Sequence, residues 1–257
     1  MIKPMIDTHA HIYLQQFEDD LDIVLGRAQK EGVEQILMPN IDSSTIERMH
    51  EVEERWPDLC KSMMGLHPCS VDDGFEKQIR TIEEKLDNGQ YVAVGEIGTD
   101  LYWDKTWWQQ QQQAFIQQVL LAEKHNLPVV IHCRDSIDET IALLEKMPVT
   151  NHKGVFHCFT GSKSQGQRII EMGYYLGIGG VGTFKNTDLR ETLSSLGLSR
   201  LVLETDSPYL APTPYRGKRN EPSYVKHVAE MLSGVFQCTI NEVQHSTTKN
   251  AKDLFSL

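Results

Sequence analysis

The most constraining feature of the sequence is a regular alternation of short apolar segments with longer amphipathic ones. Near-continuous apolar runs such as Val129-Val130-Ile131 are typical of strands that are buried on both faces of a parallel sheet. The predicted strands are residues 5–8, 35–39, 61–66, 92–97, 128–132, 154–157, 174–178 and 201–204. The predicted helices are residues 19–30, 43–55, 75–88, 106–126, 137–146, 162–172, 188–196, 224–236 and 240–255. This alternation predicts an α/β fold of the parallel (β/α)8 TIM-barrel type.

The length of the chain predicts a single domain. Its 257 residues match the size of one (β/α)8 barrel. No Pro/Gly/Ser-rich linker or shift in composition marks a boundary, so we expect one domain over residues 1–257. A doubly wound open sheet is the alternative, but such a sheet usually has fewer strands.

Composition excludes several classes of protein. No segment approaches the run of about 20 apolar residues that a membrane span requires. Residues 1–4 lead into the first strand without the features of a signal peptide. The five cysteines are scattered and form no Cys-x-x-Cys pair, which favours a reducing compartment. We therefore expect a cytoplasmic protein without a membrane partner, and a monomer as the default state.

The net charge of −11 limits how the protein can bind other molecules. It argues against broad electrostatic adhesion to nucleic acid or to anionic membranes. It does not exclude a phosphate-containing substrate, because some of the acidic residues would be metal ligands and a local basic loop matters more than the total.

The first predicted strand ends in His9 and His11. Side chains at positions i and i+2 of an extended chain leave the same face, so both imidazoles point the same way, with Asp7 one layer beneath them. Two neutral imidazoles on one face can bind one divalent metal ion. An isolated His-x-His is as often a hydrogen-bonded surface pair, so this motif needs support from the rest of the chain.

That support comes from polar residues at the ends of other predicted strands. A barrel gathers the carboxyl ends of its strands at the face where such folds place their active sites. The residues at these ends are His9, His11, His67, Glu96, His132, His157, Glu204 and Asp206. They exceed the ligands that one ion usually takes, so we expect two divalent metal ions that share a carboxylate.

The order of the strands predicts how these ligands divide. His9, His11 and Asp206 come from strands one and eight, which are neighbours in a closed barrel, and would bind one ion. His132 and His157 come from the adjacent strands five and six and would bind the second ion, with Glu96 bridging both. A water activated by the two ions would be the nucleophile and Asp206 its general base. Asp7 and Glu204 are expected behind the ligands, where they would orient them.

Other residues are candidates for binding the substrate. His67 would donate to a substrate oxygen or brace its loop. Arg134, two residues after His132, would bind a phosphate or pair with Asp135. The residues Arg216, Lys218 and Arg219 form a small basic cluster after the last strand, where it would overhang the site or remain a solvated loop.

An ordered set of motifs resembles the TatD family of metal-dependent deoxyribonucleases, from the first strand to Asn250-Ala251. The motifs are Asp7-Thr8-His9-Ala10-His11, Gly65-Leu66-His67-Pro68, Gly95-Glu96-Ile97-Gly98, Ile131-His132-Cys133-Arg134-Asp135, His157-Cys158-Phe159-Thr160-Gly161, Glu204-Thr205-Asp206-Ser207-Pro208-Tyr209 and Arg216-Gly217-Lys218-Arg219-Asn220-Glu221-Pro222. Two departures are Gly98-Thr99-Asp100-Leu101-Tyr102, where the family usually has Leu after the glycine and an aromatic residue after the Asp, and Cys133, where Ser or Thr is common. Neither departure touches a predicted ligand, so both bear on substrate preference.

The resemblance implies a TIM-barrel hydrolase of the amidohydrolase type with two divalent cations. It also implies 3′ to 5′ exonuclease action on DNA, with single strands or 3′ ends as the expected substrate. By position, the family's metal ligands match His9, His11, Glu96, His132, His157 and Asp206. These are the residues that the strand ends predict.

Two other functions compete with a nuclease. Barrels of this type host many reactions, so hydrolysis of a small ester, amide or lactone is the alternative enzyme, and the acidic charge favours it. A non-catalytic metal-binding or nucleic-acid-binding module is the third class, against which the intact ligand set argues. The sequence leaves Zn²⁺, Mg²⁺ and Mn²⁺ open as the metal.

Overall fold

The chain folds into a closed barrel of eight parallel strands surrounded by helices. The computed structural model describes residues 4–147 and 153–257. The strands are β1 Met5–Asp7, β2 Val33–Pro39, β3 Cys60–Met63, β4 Val94–Asp100, β5 Val129–Arg134, β6 Gly154–Phe156, β7 Tyr175–Ile178 and β8 Leu201–Leu203. The α-helices are α1 Leu21–Lys30, α2 Ile46–Arg55, α3 Phe75–Asn88, α4 Trp108–His125, α5 Ile137–Lys146, α6 Lys163–Glu171, α7 Leu189–Leu196, α8 Val225–Phe236 and α9 Ile240–Phe255. Residues 1–3, part of the segment expected to lack signal-peptide features, lie outside the described residues.

Two short seams close the barrel and confirm the predicted (β/α)8 architecture. Strands β1 to β3 form one parallel group and β4 to β8 form another. Met64 pairs with Val94 at the first seam. At the second seam, the Thr8 amide donates to the Leu203 carbonyl over 2.9 Å. The carboxyl ends of all eight strands therefore meet at one face of the barrel.

A layer of apolar side chains fills the interior near the amino ends of the strands. It takes one residue from each strand or its immediate flank, namely Ile6, Leu37, Met63, Ala93, Val130, Val155, Tyr175 and Val202. Ala251, Leu254 and Phe255 of α9 pack against this layer. The last helix thus closes the amino end of the barrel, and a cleft can open only at the carboxyl end. Within the two described ranges, no helix has the length and apolar character that a membrane crossing needs.

Strands β4 and β5 extend further than their apolar runs predict. Their ladder continues through three more pairs, Gly98 with His132, Thr99 with Cys133 and Asp100 with Arg134. The polar residues at these positions interrupt the apolar pattern, but backbone pairing does not depend on it. As a result, Asp100 and Arg134 lie side by side at the cleft.

Helix α2 begins later than predicted, at Ile46 instead of residue 43. The Ser44 amide donates to the Asp42 carboxylate over 2.8 Å, which forms a local turn before the helix. Thr45 precedes the helix, and its hydroxyl makes no capping hydrogen bond to it. The Asp42 side chain therefore stabilises a turn, and residues 43–45 do not join the helix.

Candidate active site

The carboxyl ends of the strands surround a cleft of about 1070 Å³. Six residues predicted to act at this face line it, namely His11, His67, Glu96, His132, His157 and Asp206. His9 is fully buried and contacts Glu96 from within the barrel. The structure therefore brings every predicted metal ligand to one place.

Glu96 stands at the centre of this cluster, and its side chain is only 2% exposed. Its Oε2 lies 3.1 Å from Nε2 of His9 and 3.4 Å from Nε2 of His11. The nitrogens that face Oε1 are His157 Nε2 at 2.9 Å, His132 Nδ1 at 3.1 Å and His67 Nε2 at 3.4 Å. One carboxylate is thus shared between two groups of histidines, which is the arrangement that a bridging metal ligand requires.

Asp206 adds a second carboxylate on the β1 side of the cluster. Its Oδ1 lies 3.8 Å from Nε2 of His9 and 3.7 Å from Nε2 of His11. Three overlapping groups have donor atoms within 4.8 Å of one another: His9, His11 and Asp206; His9, Glu96 and His157; and His67, Glu96 and His132. This set of imidazole and carboxylate donors fits divalent transition metals.

The tautomer of each histidine depends on what its outer nitrogen contacts. The Tyr13 hydroxyl donates to the Pro39 carbonyl over 2.6 Å, so its oxygen accepts from Nδ1 of His11, 3.1 Å away. The proton of a neutral His11 ring then sits on Nδ1. The lone pair of Nε2 faces Glu96 and is available to a metal ion.

One carboxylate orients His132 through a hydrogen bond, and a second carboxylate lies near His157. Oδ2 of Asp100 lies 2.8 Å from Nε2 of His132, which leaves Nδ1 of that ring facing Glu96. Oε1 of Glu204 lies 3.4 Å from Nδ1 of His157. Such carboxylate–histidine contacts hold metal ligands in position and make them more basic.

Sequence analysis missed two of these orienting residues. Tyr13 lies in the turn that follows His11, where the Leu14 amide donates to the His11 carbonyl over 3.1 Å, so the strand period of two does not predict its position. Asp100 lies four residues after Glu96, and the same period puts it on the face of Glu96. The predicted strand ended at residue 97, which hid this relationship.

A neutral His67 carries its proton on the ring nitrogen that faces Glu96, whereas His11 carries it on the nitrogen that faces away from Glu96. The Cys69 amide donates to Nδ1 of His67 over 3.1 Å, so a neutral ring is protonated at Nε2. That nitrogen faces the cleft and Glu96. A protonated nitrogen donates a hydrogen bond and does not ligate a metal ion, so the geometry favours the predicted contact with a substrate oxygen.

Burial and charge shift the pKa values in the cluster. Burial by itself would raise the pKa of Glu96, but the surrounding histidines, His157 first, hold it well below its usual range. Burial would lower the pKa of His157, but Glu96 and Glu204 together raise it well above its usual range. Burial raises the pKa of Asp206 to about 6. Without a cation the cluster therefore holds protons, which a divalent ion would displace.

Asp7 and Glu204 lie behind the histidines. The Thr205 amide donates to Oδ1 of Asp7 over 2.9 Å, which ties β1 to the end of β8. Burial raises the pKa of Asp7 to about 8. A Cβ atom at Gly177 would lie 2.2 Å from Oε2 of Glu204, so only glycine leaves room for this carboxylate. Glu204 thus lies near the ring of His157, whereas Asp7 is bound by Thr205 and by the backbone amide of His9.

Arg134 lines the cleft, and an aromatic ring holds it there. Its guanidinium carbon lies 3.6 Å from the centroid of the Tyr102 ring. Among the described residues it has no carboxylate partner, and the alternative pairing with Asp135 does not form. The N–H groups of Arg134 remain available to an anion.

The charged side chains of the basic loop after β8 contact residues other than those of the metal cluster. Arg219 donates to both carboxylate oxygens of Asp20, over 2.8 and 2.6 Å. The guanidinium of Arg216 lies 4.0 Å from the Phe184 ring centroid, and Lys218 Nζ lies 5.9 Å from that of Tyr215. None of the three is among the described residues that line the cleft. Asp20 thus engages Arg219, whereas Arg216 and Lys218 are exposed beside aromatic rings, and contact of this loop with a substrate stays a prediction.

Known proteins resemble this chain over nearly its whole length. The family model described as TatD related DNase matches residues 6–256. A Bacillus subtilis protein named uncharacterized metal-dependent hydrolase YabD is 39% identical, over 98% of this chain and 99% of the relative. A Pantoea ananatis protein named 3′-5′ ssDNA/RNA exonuclease TatD is 30% identical, over 98% of this chain and 100% of the relative. The crystal structure of YjjV, a TatD homologue from Escherichia coli, superposes with a TM-score of 0.93 at 30% identity and full coverage of both chains.

Proposed function

Because the chain belongs to the family of TatD-related DNases, whose members include metal-dependent hydrolases, we propose that it is a 3′ to 5′ exodeoxyribonuclease. Its substrate would be single-stranded DNA or the 3′ ends of DNA. The observation that carries this proposal is the position of Glu96, whose two oxygens face separate groups of histidines in the cleft. The name of the Pantoea relative, a ssDNA/RNA exonuclease, supports nucleic acid as the substrate class.

We propose that two divalent cations bind this cluster. His9, His11 and Asp206 would hold one, His132 and His157 would hold the other, and Glu96 would contact both. When bound, such ions make water acidic and stabilise negative charge on a phosphate. Imidazole ligands favour Zn²⁺ or Mn²⁺, whereas abundant Mg²⁺ prefers oxygen ligands.

Asp206 would accept the proton of the attacking water. Its side chain lines the cleft, and burial raises its pKa to about 6 in the ion-free cluster. Asp7 and Glu204 would act only through their neighbours, by holding the ends of β1 and β8 and the ring of His157.

His67 and Arg134 would bind the phosphate. Nε2 of His67 presents a proton to the cleft because its other nitrogen accepts from a backbone amide. Arg134 presents N–H groups that have no carboxylate partner among residues 4–147 and 153–257, and their geometry matches the oxygens of a phosphodiester. Arg216, Lys218 and Arg219 are not among the described residues that line the cleft, so they would contact a DNA strand only beyond it.

A small ester, amide or lactone is the second candidate substrate, and the charge of the rim favours it. Asp135, Asp138 and Glu139 line the same cleft as Arg134. An acidic rim on a chain of net charge −11 repels a polyanion but does not affect a neutral ester.

We further propose a cytoplasmic location. All five cysteines are free thiols in the structure, which agrees with a reducing compartment. Fractionation of cells that express a tagged protein would test this.

The decisive experiment is digestion of 3′-labelled and 5′-labelled single-stranded oligonucleotides. Metal-stripped protein would be supplied with Zn²⁺, Mg²⁺ or Mn²⁺, beside a Glu96→Gln variant and a Glu139→Gln control. Glu139 is an exposed carboxylate on the same cleft, so it controls for a change of charge alone. We expect metal-dependent release of mononucleotides from the 3′ label first, lost only in Glu96→Gln.

Two results would contradict the proposal. Release from the 5′ label first would reverse the polarity. No cleavage with any ion, by protein shown to bind two metal ions, would exclude the nuclease and direct the search to uncharged esters, amides and lactones.

A further inference from the structure

Two large aromatic side chains are exposed where β4 leaves the barrel. Tyr102 is 50% exposed and Trp103 is 67% exposed. Exposing a tryptophan to water forgoes the free energy of burying a large apolar surface. Trp103 lines the same cleft as Glu96 and Asp206. A ligand in that cleft can therefore cover this ring.

The loop that carries these rings is held in place by hydrogen bonds. Oδ1 of Asp100 accepts from the amides of Tyr102 and Trp103, each over 2.9 Å. The Leu101 amide donates to the Arg134 carbonyl over 2.9 Å, which joins the loop to the end of β5. Since its backbone is already ordered, binding a ligand here would cost little conformational entropy.

The three side chains at this position form one surface, the Trp103 platform, which consists of Tyr102, Trp103 and Arg134. The rings of Tyr102 and Trp103 meet edge to face, with centroids 5.0 Å apart and planes at 89°. The Arg134 guanidinium lies 3.6 Å from the centroid of Tyr102 and 5.5 Å from that of Trp103. The platform thus combines an exposed indole with a cation that has no carboxylate partner in the described chain.

We propose that the Trp103 platform is a stacking site for a nucleobase of the substrate, beside the phosphate that Arg134 binds. This inference rests on the proposed nuclease function and adds how the strand is selected. An aromatic face binds any base by stacking, and the planar cation of Arg134 contributes to the same contact. A base can reach Trp103 only when it is unpaired and unstacked from its neighbours, so the platform selects single-stranded DNA.

The position of the platform explains why it acts together with the metal cluster. Asp100 contacts the platform through Oδ1 and His132 through Oδ2. Arg134 follows His132 by two residues on β5, so their side chains leave the same face of the strand. A nucleotide bound here would place its base on Trp103 and its phosphate toward Glu96.

The test compares natural and abasic oligonucleotides as substrates. Each of the last three 3′ nucleotides is replaced in turn by a tetrahydrofuran abasic residue. For the wild-type protein we expect KM to rise about tenfold when the base that stacks is removed, which corresponds to one base–aromatic contact. Trp103→Ala should raise KM for the natural strand by the same factor and leave KM for that abasic strand unchanged.

Two variants serve as controls. Trp103→Phe keeps an aromatic face and should retain most of the preference for the base. Ile23→Ala removes another exposed apolar side chain, 62% exposed on α1, and should change neither substrate. Equal losses of kcat on natural and abasic strands in Trp103→Ala would assign Trp103 a merely structural role and overturn the proposal.

A binding measurement separates this proposal from the nuclease proposal. A phosphorothioate oligonucleotide is titrated into the metal-loaded protein. The fluorescence of Trp103 is obtained by subtracting the emission of the Trp103→Phe variant from that of the wild type. We expect quenching by the natural strand and none by the fully abasic strand, whether or not the protein cleaves DNA. Active cleavage without a base-dependent quench would overturn the stacking site and leave the nuclease intact.

Discussion

The floor of the cleft and its rim use similar residues in different ways. On the floor, five histidines have a ring nitrogen within 3.4 Å of the Glu96 carboxylate. On the rim, Arg219 is bound to Asp20 and turned away, whereas Arg134 rests on Tyr102 and faces the cleft. The floor is assembled by the strands themselves, because a closed barrel directs their ends to one point. The rim is made of strand ends and loops, and the partner of each charged side chain decides where it points.

Replacing Glu96 should have the largest effect, because it touches both groups of histidines. We expect Glu96→Gln to lower turnover by about 10³-fold or more, since the amide cannot serve two cations as a negatively charged bridge. Circular dichroism would check the fold and a steady-state assay the activity. Full activity in a folded Glu96→Gln variant would show that the floor of the cleft is no more important for turnover than its rim.

Asp100 tests whether the floor depends on the residues that orient it. We expect Asp100→Asn to weaken metal affinity or activity by about 10- to 100-fold, because His132 loses its charged acceptor. Isothermal titration with Zn²⁺ would measure the affinity. Excess metal should restore part of the activity, and an unchanged affinity would mean that His132 needs no such support.

Arg134 should show an intermediate effect, confined to substrate binding. We expect Arg134→Gln to raise KM for DNA about tenfold and to reduce the salt dependence of binding by the equivalent of one phosphate contact. The matched control is Arg219→Gln, which removes the same charge from the rim. Identical changes in the two variants would show that only total charge matters, and the comparison of the two arginines would fail.

Arg219 should have the smallest effect. Its ion pair with Asp20 is partly exposed, so we expect Arg219→Gln to lower the free energy of unfolding by about 0.5–1 kcal/mol, with no change in KM. Urea denaturation would measure the stability. A rise in KM for DNA would restore the basic loop as a substrate contact.

The sequence predicted most of the floor because the floor follows from periodicities. Eight apolar runs indicated the barrel, and residues at their ends indicated the ligands. Asp100 obeys the same period of two but lies beyond an apolar run, and hydrophobicity does not report backbone pairing through polar residues. Tyr13 lies in a turn, whose path no strand period describes.

The sequence by itself therefore determined the eight-stranded barrel and its arrangement as a single domain. It also determined the histidines and acids that converge at the open end of the barrel. Tertiary structure alone decided that Arg219 binds Asp20, 199 residues away, and that Arg134 stacks on Tyr102. Strand ends are set by repeating local patterns, whereas the partners of Arg219 and Arg134 depend on which distant segments the finished barrel brings next to them.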